Sequence, residues 1–383
     1  MRHLLRDIAE ISSGQGAPQG DSCYCEDGIP FVKAGNMENL VSGGSITAIQ
    51  KVSQENAKSY KLKLYPKGTV LFAKSGMSCL KGYVYVLPQE AYVVSHLACI
   101  SPKGDYSDFL RYYFNYHKPN QLVKDEAYPS ISLADIGEME IDIKDINTRA
   151  SIVSVLDKVE QLISLRKKQL QKLNDLVKSR FVEMFGDPVT NPKGWEKHPL
   201  SDEAEIKIGP FGSLLHKDDY ISGGHALVNP SHIVDGAIIP AEDLTVSDEK
   251  YKELNAYHLL EGDVVMGRRG EMGRCAVVDR SGLLCGTGSL LIRSKGDLSA
   301  DFIQKIISFP SFKKTIEEMA VGQTMPNLNV PIVSSFQIIK PPKSVQDDYY
   351  TFVAQIDETR LTEQRGLDKL ELLKHSLMQK YFG

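Results

Sequence analysis

The chain has 383 residues, a length that predicts two globular units rather than one domain of average size. Hydrophobic residues make up 42% and charged residues 25%, which is an ordinary globular balance with enough apolar material for a buried core. The formal net charge of -4 excludes a uniformly basic nucleic-acid binder, so any affinity for DNA must come from local patches.

Targeting and redox features point to the cytoplasm. No apolar stretch is long enough to span a membrane, and the N-terminal segment lacks the apolar core of a signal peptide. The six cysteines include no CxxC pair, which fits reduced thiols in a cytoplasmic protein. Cys23 and Cys25 form an isolated CxC, which we interpret as structural rather than metal-binding.

The most informative feature is an internal repeat. Segment 3–14, HLLRDIAEISSG, has seven identities in twelve positions with segment 198–209, HPLSDEAEIKIG, at an offset of 195. Segment 67–76 matches 261–270 in the same order, and Phe185-Gly186 matches Phe382-Gly383 at an offset of 197. Recurrence in order at nearly one offset indicates a duplicated chain with a pseudo-two-fold internal repeat.

Each copy has the same order of predicted elements. Short apolar runs broken by Gly and Pro predict strands of a mixed α/β (α+β) fold, and about 38 residues without proline then predict one long helix. The predicted strands lie in 28–36, 68–76, 82–87, 225–234, 262–270 and 290–294, and the predicted helices cover 147–184 and 345–382. The domains predicted from this order are 1–145 and 196–342 (two similar globular units), 146–186 and 343–383 (long helices), and 187–195 (linker).

The two long helices carry apolar residues at alternating spacings of four and three, a coiled-coil pattern. Each helix could simply pack on its own domain. A duplicated chain can also close through a two-fold axis, which pairs equivalent helices antiparallel. The predicted pairs are Ile152 with Leu377, Val159 with Leu370, Ile163 with Leu367, Leu173 with Ile356, Val177 with Val353, and Arg166 with Glu363 near the midpoint.

A helix of this length measures roughly 57 Å at about 1.5 Å per residue. Two similar globular units held apart by such a helix are suited to bind a linear ligand at two separated sites. DNA is the obvious candidate, because the spacing of its half-sites mirrors protein geometry.

No motif of catalysis accompanies this organisation. The one Pro-Pro, Pro341-Pro342, lies between lysines and does not form the Asp/Asn-Pro-Pro-aromatic loop of amino-methyltransferases. Gly-rich cofactor loops, phosphate-binding loops, serine-nucleophile elbows and metal-ligand histidine spacings are also missing from the sequence. A nuclease-like combination of acidic residues and a lysine occurs in Asp202, Glu205 and Lys207. Their spacing is too short for a nuclease motif, so we interpret these residues as structural.

Polar and basic loops recur at equivalent places and are the candidate DNA contacts, since Arg, Lys, Ser, Asn and Gln bond phosphates and base edges. Charge exposed to solvent and plain turn formation are the alternatives for any one residue. The first copy offers Lys33, Lys74, Ser75, Lys81, Tyr128 and Ser130, and the second offers Arg268, Arg269, Arg274, Gln323, Thr324 and Asn327.

With these features the chain resembles the specificity subunit of Type I restriction–modification systems over essentially its whole length. The motifs that carry the resemblance are GIPFVKAGN (28–36), GTVLFAKSG (68–76), GDVVMGRRG (262–270), SLADIGEMEI (132–141) and RFVEMFGDPVTNPKGW (180–195). The resemblance implies two target recognition domains, separated by two long helices that form an antiparallel coiled coil. Each recognition domain would read one half of a bipartite DNA sequence.

The resemblance also implies partners and the absence of chemistry in this chain. Two modification (methyltransferase) subunits, which carry S-adenosylmethionine, would dock on the coiled coil, and restriction/translocase subunits with ATP and magnesium would join them. The chain itself would be non-catalytic, without a cofactor or metal. Two other functions stay open from the residues alone: a duplicated protein-binding scaffold without DNA recognition, and a stand-alone nuclease or methyltransferase.

Overall fold

The structure, a computed structural model, describes residues 2–271, 273–322 and 327–383. The chain divides into two compact units. Unit 1 comprises residues 1–169 with 363–383, and unit 2 comprises 170–362. Each unit therefore contains one recognition region and parts of both long helices.

Unit 1 contains short strands and helices in the order expected from the sequence. Its strands are β1 (Arg2–Leu4), β2 (Ala9–Ser13), β3 (Tyr24–Cys25), β4 (Ile29–Val32), β5 (Lys51–Val52), β6 (Val70–Ala73), β7 (Val84–Val86), β8 (Tyr92–Val93), β9 (Leu97–Pro102) and β10 (Glu140–Asp142). Its helices are α1 (Leu5–Ile8), α2 (Met37–Val41), α3 (Gln54–Ser59), α4 (Ser107–Tyr116), α5 (Leu133–Gly137) and the first part of α6 (Ile146–Phe185).

Unit 2 repeats this order with some additions. Its strands are β11 (Lys197–Pro199), β12 (Ala204–Ile208), β13 (Tyr220–Ile221), β14 (His225–Val228), β15 (Ile233–Val234), β16 (Ala237–Ile238), β17 (Thr245–Val246), β18 (His258–Leu259), β19 (Val264–Gly267), β20 (Cys275–Val277), β21 (Leu283–Cys285), β22 (Ser289–Ser294) and β23 (Gln337–Ile339). Its helices are α7 (Leu200–Glu203), α8 (Asp248–Glu253), α9 (Ala300–Ile307), α10 (Pro310–Met319), α11 (Val330–Ser334) and the first part of α12 (Lys343–Phe382).

The sheets of the two units share their strand order, with β18 as an additional edge strand in unit 2. A four-stranded antiparallel sheet has the order β2-β9-β6-β7 in unit 1 and β12-β22-β19-β20 in unit 2. A second sheet has the order β3-β5-β4-β8 in unit 1 and β13-β17-β14-β21-β18 in unit 2. The duplication read from the sequence is therefore visible as a repeated strand order.

The central strand of each four-stranded sheet is apolar on both faces. All four residues of β6 are buried, as are all four of β19. Helix α4 covers the sheet of unit 1 and α9 that of unit 2, each with an apolar face at helical spacing. A strand that is buried on both faces has an uninterrupted run of apolar residues in its sequence. For this reason β6 and β19 could be predicted from the sequence.

The long helices extend over 40 residues each, slightly beyond their predicted bounds. Helix α6 ends where Gly186 adopts a positive φ of 76° and donates its N–H to the Val182 carbonyl at 2.9 Å. Glycine tolerates this left-handed conformation without a Cβ clash and is common just after a helix end. The linker that follows folds back, and the Trp195 indole N–H donates to the Phe185 carbonyl at 3.1 Å.

Within each unit the segments of α6 and α12 run antiparallel. In unit 1, Glu160 pairs with Lys374 at 2.7 Å, and Arg166, further along α6, pairs with the earlier residue Glu363. In unit 2, the Arg360 guanidinium donates to the Asn174 side chain at 3.1 Å. The Tyr349 hydroxyl donates to the carbonyl of Val177, later on α6, at 3.4 Å. Partner numbers fall along α12 as they rise along α6, as an antiparallel pair requires.

Candidate nucleic-acid interface

The candidate loops of each unit lie at one end of its four-stranded sheet. In unit 1 the loop 74–83 joins β6 to β7, and in unit 2 the loop 268–274 joins β19 to β20. Because neighbouring strands are antiparallel, the starts of β9 and β22 lie at that same end. We call the surface formed by the loop after β6 and the start of β9 the sheet-end ledge of unit 1. The loop after β19 and the start of β22 form the sheet-end ledge of unit 2.

Backbone hydrogen bonds hold the ledge of unit 1 in place. The Lys74 N–H donates to the His96 carbonyl at 2.9 Å, and the Ile131 N–H donates to the Lys74 carbonyl at 2.8 Å. Ser75 and Ser130 form an antiparallel bridge. The fold thus brings the segment 125–133 against the loop after β6, although some 55 residues separate them in the chain.

Unit 2 builds the same arrangement from different side chains. The Arg268 N–H donates to the Gly288 carbonyl at 3.0 Å, and the Leu328 N–H donates to the Arg268 carbonyl at 2.9 Å. Arg269 and Asn327 form the antiparallel bridge. The ledges therefore place Lys74 and Arg268 at equivalent points, as the sequence repeat predicts.

Glycines at equivalent positions allow both loops to turn. Gly76 has a φ of 76° and Gly270 a φ of 80°, and a Cβ at either position would meet open space. The limit at these two positions is backbone conformation rather than crowding. The backbone at both turns is left open for another surface to approach.

The cations of the ledges fall into two classes. Lys81 pairs with Glu38 at 2.7 Å, and Arg274 pairs with Glu271 at 2.5 Å. Within the described part of the chain, by contrast, Lys74, Arg268 and Arg269 form no ion pair. A cation without a carboxylate partner is free to bind a phosphate or a base edge, whereas a paired one must first be released.

Arg268 is the most constrained of the free cations. Its side chain is half-buried, and its Nε atom is buried without a hydrogen-bond partner among the described residues. Burial, followed by the neighbouring charge of Arg269, lowers the pKa of Arg268 from its ordinary value. The guanidinium remains charged at neutral pH, because the ordinary pKa of an arginine side chain lies far above that range.

The remaining candidates of unit 1 lie near the same ledge with different roles. The Ser75 hydroxyl lies 2.9 Å from His96 Nδ1, and Tyr128 is 83% exposed. Lys33 donates to the Gln50 side chain at 2.6 Å and lies over the Tyr24 ring at 4.5 Å. Ser130 is exposed beside Ser75.

Two polar residues of the same segments act as helix caps. The Ser132 hydroxyl accepts the Asp135 N–H at 2.9 Å, and the Asn329 side chain accepts the Ile332 N–H at 2.9 Å. These bonds satisfy free N–H groups at the starts of α5 and α11. Asn327 is described and lies on the ledge, whereas Gln323 and Thr324 lie outside the described residues.

Sequence reasoning missed His96 and Asn229. His96 is exposed beside Ser75, and the Asn229 side chain accepts the Gly288 N–H at 3.4 Å. Asn229 follows β14 as Lys33 follows β4, an offset of 196 that the repeat could have revealed. His96 had no such signal, because its place depends on where β9 begins.

The structure joins the predicted midpoint pair of the helices directly and places two other predicted pairs in shared apolar cores. Arg166 and Glu363 form an ion pair whose side chains are 37% and 21% exposed. Such a partly solvated pair contributes about 1 kcal/mol or less to stability, so its role is to favour one register. Ile152 and Leu377 belong to one apolar core in unit 1, and Val177 and Val353 belong to one in unit 2.

The other predicted seam residues are mostly shielded from solvent. Val159 and Leu367 are buried in unit 1. The half-buried members are Ile163 and Leu370 in unit 1 and Leu173 and Ile356 in unit 2. The seam is therefore fully buried at some positions and partly exposed to solvent at others.

Other site types find no support in the described part of the chain. No group of three or more His, Cys, Asp or Glu residues could hold a metal ion there. Glu205 and Lys207 pair with each other at 2.8 Å, which agrees with their structural interpretation. Not one of the described helices combines the length and apolar character needed to cross a membrane.

Comparison with known proteins shows the same organisation. The family model of the Type I restriction modification DNA specificity domain matches residues 4–175 and again residues 192–372. The Type I restriction enzyme MjaIX specificity subunit of Methanocaldococcus jannaschii is 23% identical, over 98% of this chain and 91% of that protein.

Solved structures share the fold. A structure titled for complex assembly and conformational transition of the Type I R-M system matches with a TM-score of 0.66 and 15% identity, covering 100% of this chain and 97% of that chain. The Type I S subunit from M. genitalium matches with a TM-score of 0.58 and 12% identity, covering 100% and 96% of the two chains. The two family matches together span most of the sequence, and the chain therefore belongs to the Type I restriction modification DNA specificity family.

Proposed function

We propose that each unit reads one half of a bipartite double-stranded DNA target, as part of a Type I restriction–modification complex. The recognition domains are residues 1–145 and 196–342, and the sheet-end ledge of each carries the DNA contacts. The observation that supports this proposal is the repeated ledge, on which equivalent loops present Lys74 and Arg268 without a carboxylate partner among the described residues.

The charge balance supports local rather than overall attraction to DNA. The chain has a formal net charge of -4, because its 49 Asp and Glu residues outnumber its 45 Lys and Arg residues. Free cations on two ledges would supply a modest number of phosphate and base contacts. Such a chain binds DNA through its two sheet-end ledges, and the rest of its surface remains available to protein partners.

The helical segments 146–186 and 343–383 are the proposed docking surface for two modification subunits. Their outer faces expose large apolar side chains. In unit 1 these are Leu162, Leu165, Leu372 and Leu373, and in unit 2 they are Leu176 and Leu361. Exposed leucines on helices that already bury an apolar seam are typical of a protein-binding surface.

The chemistry of the complex is assigned to its partners. The modification subunits would supply S-adenosylmethionine, and the restriction/translocase subunits would supply ATP and magnesium. This chain would contribute target choice, and the length of its helices would set the gap between half-sites. The place of action would be the cytoplasm.

The experiment is charge reversal on the ledges in the assembled complex. Lys74→Glu and Arg268→Glu together should weaken binding to the target by at least about 100-fold, since each removes a contact and adds repulsion toward phosphate. Lys67→Glu is the matched control, because Lys67 is exposed before β6 and Lys74 follows that strand. Methylation in cells and binding of purified complex are the measurements.

A duplicated protein-binding scaffold would behave differently. Its partners would be retained by the Lys74→Glu, Arg268→Glu chain, and no bipartite methylation motif would depend on the wild-type chain. Equal loss of target binding in the Lys67→Glu control would also contradict the proposal, because the effect would then follow overall charge.

A further inference from the structure

The ledge of unit 1 and the segment packed against it expose two large apolar side chains at neighbouring positions. Met77 is 68% exposed and Tyr128 is 83% exposed, the two highest values for large hydrophobic side chains among the described residues. One backbone hydrogen bond joins the segments that carry them, since the Gly76 N–H donates to the Pro129 carbonyl at 3.0 Å. Scattered apolar side chains are ordinary on a protein surface, but two neighbouring ones with this exposure indicate a contact surface.

The backbone that carries both side chains is anchored. Cys79, whose side chain is buried, donates its N–H to the Gly76 carbonyl at 2.9 Å and so holds the turn that begins at Met77. Pro129, directly after Tyr128, is buried. Side chains on a fixed backbone lose less conformational entropy on binding, so this apolar pair can select a ligand by its shape.

Polar groups border this apolar pair. Lys74 meets no carboxylate among the described residues, and the Ser75 hydroxyl lies 2.9 Å from His96 Nδ1. A patch of two side chains is small for a protein partner, and a phosphate offers nothing apolar. On the base edges of the major groove the apolar group is the C5-methyl of thymine, which lies beside the O4 acceptor. An apolar pair bordered by a cation and a hydroxyl is complementary to that edge.

We propose that Met77 and Tyr128 contact the C5-methyl group of one thymine in the half-site bound by unit 1. This inference rests on the proposed function and adds to it a base that one ledge selects. The repeat aligns Met77 with Glu271 in the equivalent loop of unit 2. Glu271 is an anion that pairs with Arg274 and Lys313 at 2.5 and 3.3 Å, so unit 2 offers no apolar side chain at this position.

The first test uses the wild-type chain assembled with its partner subunits and needs no variant, so a folding defect cannot obscure it. In target duplexes, deoxyuridine replaces each thymidine of both half-sites in turn, which removes the methyl group and keeps the O4 acceptor. Binding should weaken about fourfold at one thymine of one half-site, the value of one buried methyl group. Replacement of thymidines in the gap between the half-sites is the control and should leave binding unchanged.

The second test assigns the methyl contact to these two residues. Met77→Gln keeps the length of the side chain and makes its end polar, and Tyr128→Asn removes the ring. Each change should reduce the preference for thymine over uracil at that position to about twofold or less and keep the preferences at the other positions. Leu64→Gln, at an exposed leucine between α3 and β6 that lies outside the ledge, is the matched control and should keep the full preference for thymine.

The outcomes are distinguishable. If no thymine responds to uracil replacement, no methyl group is contacted and the inference is wrong. If one thymine responds equally in the wild-type, Met77→Gln and Tyr128→Asn complexes, other residues contact it and the inference is again wrong. If Met77→Gln weakens assembly with the modification subunits at unchanged base preference, the pair is a protein contact instead. If the wild-type chain directs no bipartite motif, it is the proposed function that fails.

Discussion

The two units attach their recognition regions to the long helices by different forces. In unit 1, Arg111 of α4 pairs with Asp157 at 2.9 Å and with Glu160 at 3.0 Å, both on α6. The Tyr112 hydroxyl donates to the same two carboxylates at 2.7 and 3.0 Å. This network is partly shielded, with the Arg111 side chain 21% exposed, so it is stronger than an ordinary surface ion pair.

Unit 2 has no such network at the equivalent place in its described residues. The sequences DFL (108–110) and DFI (301–303) align α4 with α9. In this alignment Gln304 and Lys305 are the sequence equivalents of Arg111 and Tyr112. The Gln304 side chain donates to the Cys275 carbonyl at 3.4 Å instead. The carboxylate equivalent to Glu160 is Asp357, which pairs with Arg360 at 2.9 Å.

Aromatic rings pack at this contact in both units. A buried ring pair is common to both units: Phe109 with Phe382 at 5.2 Å between centroids, and Phe302 with Phe185 at 4.9 Å. Unit 2 adds Phe181 and Tyr349, where the offset of 197 puts Met378 and Ile152 in unit 1. The same backbone frame is therefore held by rings in both units, and unit 1 adds an ionic network that unit 2 lacks among its described residues.

The largest expected effect is Phe181→Ala in unit 2. Removing a fully buried ring that contacts Phe185, Phe302 and Tyr349 should lower the free energy of unfolding by about 4 kcal/mol. Fluorescence of Trp195, the single tryptophan, reports on this core in urea titrations. Met378→Ala is the control, because it cuts the equivalent position of unit 1 and should leave the tryptophan transition in place.

Arg111→Met should destabilise unit 1 by about 2 kcal/mol, because it leaves the carboxylates of Asp157 and Glu160 without their arginine. Circular dichroism should show the shift while Trp195 fluorescence does not. A shift of both signals together would contradict separate attachment of the two recognition regions.

The same network predicts sensitivity to acid in unit 1. Burial opposes ionisation of Glu160, but the hydrogen bond from Lys374 and the charge of Arg111 outweigh it and hold the pKa of Glu160 below its ordinary value of 4.5. A lowered pKa in the folded state means that this stability is present above about pH 4.5 and lost as the pH falls through the folded pKa. Glu160→Gln should flatten that part of the pH profile of unfolding.

The smallest effect, and one of opposite sign, is expected for Lys305→Met. Burial and then the charge of Lys178 lower the pKa of Lys305, so folding disfavours its protonated form. At neutral pH the substitution removes this penalty and keeps the aliphatic stem, so unit 2 should gain up to about 1 kcal/mol. Destabilisation by this change in the Trp195 transition would show that Lys305 has an ionic role like that of Arg111.

Much of the architecture could be read from local sequence pattern. The repeat, the two long helices and the seam that places Arg166 opposite Glu363 depend on spacings within a few residues and on the offset between copies. The repeat also indicated that the loops at Lys74 and Arg268 are equivalent. The boundaries of α6 and α12 moved by one or two residues at some ends, because caps and last turns carry weak signals, and the strands are shorter than the apolar runs that predicted them.

Which candidate cations are free was decided by the tertiary structure. Lys81 is neutralised by Glu38, which lies 43 positions earlier in the chain, while Lys74 in the same loop meets no carboxylate in the described residues. Arg269 and Asn327 form a bridge because two segments about 60 residues apart meet on one ledge. Local periodicity determines helices and strands, whereas charge pairing and burial depend on contacts that form only when distant segments pack together.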